Sequence, residues 1–211
     1  VLAHPPWMGG YSQRDMIRLT GFDAIEINKK KMKTLQLWDT ALSSGKVVWI
    51  MGNDDSHDIH HPRKTGVRWT MIHANSPRKK HVISALKKGQ MYAVTGHHGR
   101  NSIFLKNVKI ENSTLKVSID KPADKIRFIG NNGEILKIVM NSNIAEIDLH
   151  DDYSYVRTEI KSPLNSLYLN PVVRYNGRTL PTYSNEVNIP LTILQNVIMF
   201  QIKRIQGVLK N

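Results

Sequence analysis

The sequence feature that most constrains the fold is a short apolar run, residues 47–51, that ends abruptly in Gly52 and a polar loop. An apolar run bounded by glycine is typical of a buried β-strand. The loop carries Asp55 and His57, whose side chains point the same way if the backbone stays extended. A carboxylate and an imidazole at a strand end indicate a divalent-metal site. The alternative is that Asp54 and Asp55 are turn or capping residues and that His57 is a surface residue.

The first hundred residues alternate between strand-like and helix-like patterns. Strand patterns occupy residues 1–4, 22–28, 47–51, 68–74 and 91–95, and helix patterns occupy residues 12–19, 33–44 and 76–88. This order predicts parallel strands that are joined by helical crossovers. Sites in such folds gather at the carboxyl ends of the strands, where His4, Asn28, and Asp55 with His57 are all expected.

Other titratable residues in this half could have either a structural role or a role in the site. A lone histidine such as His4 is more often structural than a ligand, but its place at a strand end favours a ligand role. Glu26 lies inside a predicted strand, where a carboxylate is usually paired or part of a site. His60 and His61 are expected to form a basic rim, or to support the ligands, rather than to bind metal.

The second half of the chain has a different pattern. From residue 102 there are seven short strand-like runs, separated by turn residues, at 103–105, 114–119, 125–129, 134–139, 144–149, 153–160 and 166–169. Regular short strands of this kind predict an antiparallel β-sandwich. The spacing of apolar residues in 191–209 predicts a C-terminal helix that docks on the body of the protein, with a subunit interface or a membrane surface as alternatives.

Composition limits the classes of partner. The formal net charge is +13, and most of the excess lies in residues 1–100, which hold 16 Lys and Arg against 7 Asp and Glu. Such a field favours anionic partners, although basic runs are more often solvated helix faces. Aromatic residues are only 7% of the chain and do not alternate with the basic runs, which argues against a platform for single-stranded nucleic acid. A nucleic-acid partner that binds through charge is a further alternative but is not favoured. The absence of cysteine excludes disulfides and thiol catalysis, and no apolar run is long enough for a transmembrane helix.

Several motifs occur in the order seen in one known family. The motifs are Leu2-Ala3-His4-Pro5, Gly21-Phe22-Asp23-Ala24-Ile25-Glu26-Ile27, Trp38-Asp39-x-x-Leu42-x-x-Gly45, Gly52-Asn53-Asp54-Asp55-Ser56-His57 and Ala85-Leu86-Lys87-Lys88-Gly89-Gln90-Met91-Tyr92. Together they resemble the second half of a PHP-domain protein, of the polymerase and histidinol phosphatase family. The resemblance covers about residues 1–175. The predicted sandwich resembles the C-terminal β-domain of a subgroup of bacterial PHP proteins.

The resemblance implies a fold and an activity. The implied fold is α/β: the second half of a distorted TIM-like (β/α)7 barrel in residues 1–100 and a small antiparallel β-sandwich in 101–177. The tail, predicted to be helical from its own apolar spacing, occupies 178–211. The implied activity is hydrolysis of a phosphate ester by metal-activated water, on a phosphorylated small molecule or a phosphodiester. The implied cofactors are two or three divalent ions (Zn, Mn or Fe), with His4, Asp55 and His57 as ligands. Glu26 occupies a recurrent family position but is not carried over as a ligand.

One departure from the family bears on the activity. The family's N-terminal His-x-His motif has no counterpart in this sequence. We therefore expect a fragment with an incomplete site, which binds metal weakly by itself and is completed by a missing N-terminal half or another subunit. The alternative is a non-catalytic protein whose β-sandwich recognises a glycan or a protein. The resemblance also favours a periplasmic or secreted bacterial location over a cytoplasmic one.

Overall fold

The computed structural model describes residues 1–27, 31–58, 60–61, 64–97 and 101–174. The predictions for Asn28 and for the tail, residues 178–211, lie outside the described residues. The elements at the N-terminal end are α1 (Gln13–Arg18), β1 (Ala24–Ile27), α2 (Lys31–Ser43) and β2 (Trp49–Gly52). The remaining elements are β3 (Arg68–Ile72), α3 (Lys79–Lys87), β4 (Met91–Thr95), β5 (Leu105–Glu111), β6 (Thr114–Ile129), β7 (Ile135–Asp148), β8 (Tyr155–Lys161), β9 (Ser166–Leu169) and β10 (Val172–Val173).

The N-terminal part contains a small parallel sheet. β1 and β2 pair in parallel, and Leu2 forms a further parallel bridge with Ile25. The helix α1 begins at a capping box in which the Ser12 side chain accepts from the Asp15 backbone N–H. The helix α2 buries Trp38 against this sheet, and the indole N–H of Trp38 donates to the carbonyl of Val48. The predicted parallel strands are confirmed for this part of the chain.

The larger sheet is antiparallel, and it contradicts the predicted barrel. Its strand order is β3-β4-β9-β8-β6-β5, with β7 on β6 and β10 on β8. The structure is therefore mainly antiparallel β-sheet with the character of a β-sandwich, and the predicted second half of a TIM-like (β/α)7 barrel is wrong. The hydrogen bonds between β4 and β9 also join residues on either side of the predicted domain boundary at residue 100.

The connection through α3 explains why the barrel does not form. The backbone N–H of His73 donates to the carbonyl of Gln90, so the chain leaves β3 and enters β4 at the same end of the sheet. The two strands consequently run antiparallel, with Ile72 opposite Met91. A barrel crossover must instead carry the chain to the opposite end before the next strand begins. The observed antiparallel connection and a barrel crossover share the same sequence pattern of strand, helix and strand, so the pattern does not distinguish them.

Two of the antiparallel strands are longer than the sequence predicts. β6 continues through Pro122, and β7 continues through Asn141, although both residues are predicted to end strands. The register of β6 against β7 shifts between Ser118 and Ala123, so the irregularity absorbs the proline, and Asn141 takes a φ of 50°. Four of the seven predicted short strands are thereby merged into two.

Candidate functional site

The loop that follows β2 is held in place by Asp54. The two carboxylate oxygens of Asp54 accept backbone N–H groups from Gly66 (2.5 Å), Val67 (2.9 Å) and Arg68 (2.7 Å). A carboxylate that accepts three amides at the start of the next strand fixes both ends of the loop. Asp54 is therefore a structural residue, as the turn interpretation proposed for it.

Asp55 and His57 lie in this loop, beyond the end of β2 at Gly52. Asp55 has a φ of 51°, so its backbone is not extended as the sequence pattern suggested. The side chains nevertheless lie close together, with 3.5 Å between Asp55 Oδ1 and His57 Nε2. Their side chains are 44% and 87% exposed, respectively, so both donors are accessible from solvent. Such a pair can coordinate an ion without first breaking a buried hydrogen bond.

His4 lies beside the neighbouring strand and is connected to Glu26. The backbone N–H of Leu2 donates to the carbonyl of Ala24, and that of Glu26 donates to the carbonyl of Leu2, so this segment follows β1. Directly after it, the backbone N–H of His4 donates to Glu26 Oε2 at 2.8 Å. His4 has a φ of 31°, an uncommon value that this hydrogen bond helps to hold.

Glu26 is the most unusual residue near this site. It is only 2% exposed, and its Oε1 atom is buried without a hydrogen-bond partner among the described residues. Burial raises the pKa of the Glu26 carboxyl above its usual range, and the hydrogen bond from His4 partly opposes that shift. The charge of Asp55 raises the pKa further, whereas His4 and Arg68 lower it.

The donor atoms suit a transition-metal ion, but they are not assembled into a complete site. Within the described ranges, no group of three or more His, Asp or Glu side chains is arranged to hold a metal ion. Imidazole nitrogens and carboxylate oxygens are the ligands that Zn, Mn and Fe use. An orphaned carboxyl oxygen in a buried position is also chemically consistent with a missing cation. The donor types of His4, Asp55 and His57 therefore match the predicted ions, whereas their arrangement among the described residues does not form a three-ligand group.

Two other histidines, His60 and His81, take part in local hydrogen bonds. The backbone N–H of His60 donates to Asp58 Oδ1 at 3.0 Å, which forms a local turn. The Nδ1 atom of His81 lies 2.7 Å from the hydroxyl of Ser76, which precedes α3. The helix α3 begins after Arg78, which makes no side-chain capping bond.

The sequence predicts Asp55, His57 and His4 as ligands, and it leaves Glu26 as either a paired group or part of a site. The available signal was a carboxylate within an apolar strand, which predicts either a paired group or a site. Only the structure shows that Glu26 Oε2 accepts a hydrogen bond, whereas Glu26 Oε1 has no partner among the described residues.

Comparison with known proteins does not identify a family. No family model matches this chain, and no curated protein matches it significantly. None of the described helices is long and apolar enough to cross a membrane.

Proposed function

We propose that this chain contributes to a divalent-metal-dependent phosphoesterase, in which His4, Asp55 and His57 bind the metal. The observation that carries the proposal is the Oε1 atom of Glu26, which is buried and unpaired among the described residues in a carboxyl group whose other oxygen accepts the backbone N–H of His4. A buried carboxyl oxygen without a partner costs free energy unless a cation or a proton satisfies it. The resemblance of the surrounding motifs to the PHP family supports phosphate esters as the substrate class.

The metal would be Zn, Mn or Fe, and an intact site would hold two or three ions. When bound, such ions polarise a phosphate ester and lower the pKa of water. The side chains of this chain would supply two imidazole nitrogens and one carboxylate. Tetrahedral or octahedral coordination needs further ligands, which other residues, substrate or water would provide.

The surrounding residues position these donors. Glu26 holds the backbone of His4 through its Oε2 atom, and Asp54 holds the loop that carries Asp55 and His57. Arg68 donates from its Nε atom to the carbonyl of Asn53, so its guanidinium lies beside the same loop. The guanidinium and the positive charge of the chain favour the approach of a phosphate ester.

The test is metal binding by the purified chain. Elemental analysis after loading with Zn or Mn is measured for the unmodified chain and for His4→Ala, Asp55→Ala and His57→Ala. The matched control is His150→Ala, because His150 packs edge-on against Tyr153 in another part of the structure. We expect each site variant to lose bound metal and the control to retain it.

Activity is then measured with a chromogenic phosphodiester at increasing metal concentration. We expect the chain alone to hydrolyse little substrate, and we expect that low turnover to depend on metal and to disappear in Asp55→Ala. Metal content that is the same in all four variants would overturn the proposed ligands. Turnover that survives loss of the metal would overturn the proposed mechanism.

A further inference from the structure

A second cleft, which shares no residue with the proposed metal site, lies between α2 and the antiparallel sheet. Its volume is about 240 Å³. One wall is the N-terminal turn of α2, and the floor is formed by β6, β8 and β9. The lining is rich in cationic side chains, which are Lys31, Lys125, Arg127 and Lys161.

The floor of the cleft consists of two rows of side chains that cross three strands. In the first row Lys125 of β6 lies opposite Lys161 of β8, which lies opposite Ser166 of β9. In the second row Arg127 lies opposite Glu159, which lies opposite Tyr168. Residues two apart on a strand share a face, so both rows present their side chains to the same side.

The negative charge in the second row is already neutralised. The Oε1 atom of Glu159 accepts from Arg157 at 2.6 Å, and its Oε2 atom forms an ion pair with Arg127. Arg157 is itself paired with Asp39. These four groups balance one another, so Glu159 leaves no charge to compensate the lysines.

Three lysines of the cleft therefore lack a carboxylate partner. Within the described part of the chain, no carboxylate forms an ion pair with Lys31, Lys125 or Lys161. The ammonium of Lys31 lies 5.9 Å from the centroid of the Tyr168 ring, which directs it towards the floor. Lys31 and Lys125 are half-buried, so their charges are less screened than those of fully exposed lysines.

The placement of Lys125 opposite Lys161 lowers the stability of the ligand-free protein, because the two ammonium groups repel each other. Like charges that lie directly opposite each other on neighbouring strands are destabilising. An anion bound between them converts this repulsion into attraction. We propose that this cleft binds a small phosphate compound that carries two phosphate groups.

The charge and the polar groups match this class of ligand. A phosphate monoester carries about 1.5 to 2 negative charges at neutral pH, so two phosphate groups match three lysines. The hydroxyl of Ser166 can donate to a phosphate oxygen at the end of the first row. The exposed side chain of Met32 lines the same cleft and would contact an organic substituent.

The experiment is isothermal titration of the full chain with inorganic pyrophosphate. It is carried out in the Asp55→Ala background, so that the proposed metal site does not contribute. The cleft variants are Lys125→Gln and Lys161→Gln, and Lys161→Arg retains the charge. The control variants are Lys79→Gln and Lys87→Gln, which remove the same charge from exposed positions on α3.

We expect each cleft glutamine variant to weaken binding by about tenfold or more, because a hydrogen bond to a charged group is lost. Lys161→Arg and the two α3 variants should bind as tightly as the parent. Absence of binding by the parent, or an equal loss in the α3 variants, would overturn the proposal. The melting temperature without ligand is a second readout: Lys125→Gln should raise it, and a decrease would contradict the predicted repulsion.

Discussion

Asp39 of α2 and Arg157 of β8 form a buried, two-point ion pair. The Nε atom of Arg157 donates to Asp39 Oδ1 at 2.6 Å, and its Nη2 atom donates to Asp39 Oδ2 at 2.8 Å. The hydroxyl of Tyr155 donates to Asp39 Oδ1 at 2.9 Å, and the guanidinium of Arg157 lies 5.0 Å from the Trp38 ring. Asp39 and Arg157 are 6% and 3% exposed, so this pair joins the helical layer to the antiparallel sheet through a desolvated contact.

The first prediction follows from that burial. Replacement of Asp39 by alanine leaves the guanidinium of Arg157 buried with Glu159 as its remaining carboxylate partner, and should lower the free energy of unfolding by about 3–5 kcal/mol. Urea denaturation measures the change. The control is Asp151→Ala, which removes a solvent-exposed partner of Arg174 and should have little effect. An Asp39→Ala chain as stable as the control would show that Arg157 does not depend on Asp39.

The second prediction concerns pH and Glu26. Because the folded-state pKa of Glu26 is raised by burial, the folded protein resists ionisation of this group. The stabilising contribution of Glu26 is therefore complete below its unfolded pKa, about 4.3, and is lost as the pH rises through the folded pKa. Glu26→Gln cannot ionise, and its amide oxygen can still accept from His4. The stability of this variant relative to the parent should increase from acidic to neutral pH.

The measurement is the free energy of unfolding of both metal-free chains at several pH values. Glu134→Gln, at an exposed position, serves as the control and should show no such increase. Parallel stability curves for the parent and Glu26→Gln would contradict a raised pKa. Added Zn or Mn should stabilise the parent more than Glu26→Gln if the unpaired oxygen faces the metal.

The elements that local sequence determines were largely predictable. The capping box at Ser12, the apolar face of α2 and the strand β4 follow from spacing and from glycine positions. The overall fold was not predictable, because it depends on the direction of the strands and on pairing between strands that are far apart in the sequence. Val94 pairs with Leu167, and no local pattern in either strand specifies that partner.

The site was partly predictable for the same reason. Asp55 and His57 follow an apolar run that ends in glycine, and the structure places them together. The role of Asp54 depends on amides twelve to fourteen residues later, and the environment of Glu26 depends on the segment around His4. Contacts of this kind arise when separate segments meet, so they leave no local signature in the sequence.

The third prediction separates Asp54 from Asp55. Asp54→Ala removes the acceptor of three backbone amides and should lower the free energy of unfolding by about 1.5–3 kcal/mol, the value of hydrogen bonds to a charged group. It should also weaken metal binding, because the loop that carries Asp55 and His57 loses its anchor. Asp58→Ala is the control, since Asp58 Oδ1 accepts from the single amide of His60. Unfolding and metal titration of both variants provide the test, and equal effects would argue against the anchoring role.

The fourth prediction concerns the close approach of β2 to β3 at Gly52. A Cβ atom at this position would lie 2.3 Å from the carbonyl oxygen of Trp69, and the hydroxyl of Thr70 bridges the N–H and the carbonyl of Gly52. Gly52→Ala must therefore separate two backbone segments, which should cost about 1–3 kcal/mol of stability and displace the loop that carries Asp55. In the control Gly130→Ala, the three atoms nearest to the new Cβ atom all belong to the side chain of Leu136, which can move more easily than backbone, so the cost should be smaller. Thermal unfolding and metal titration distinguish the two variants, and a Gly52→Ala chain with parental stability and affinity would show that the strands can separate without disturbing the site.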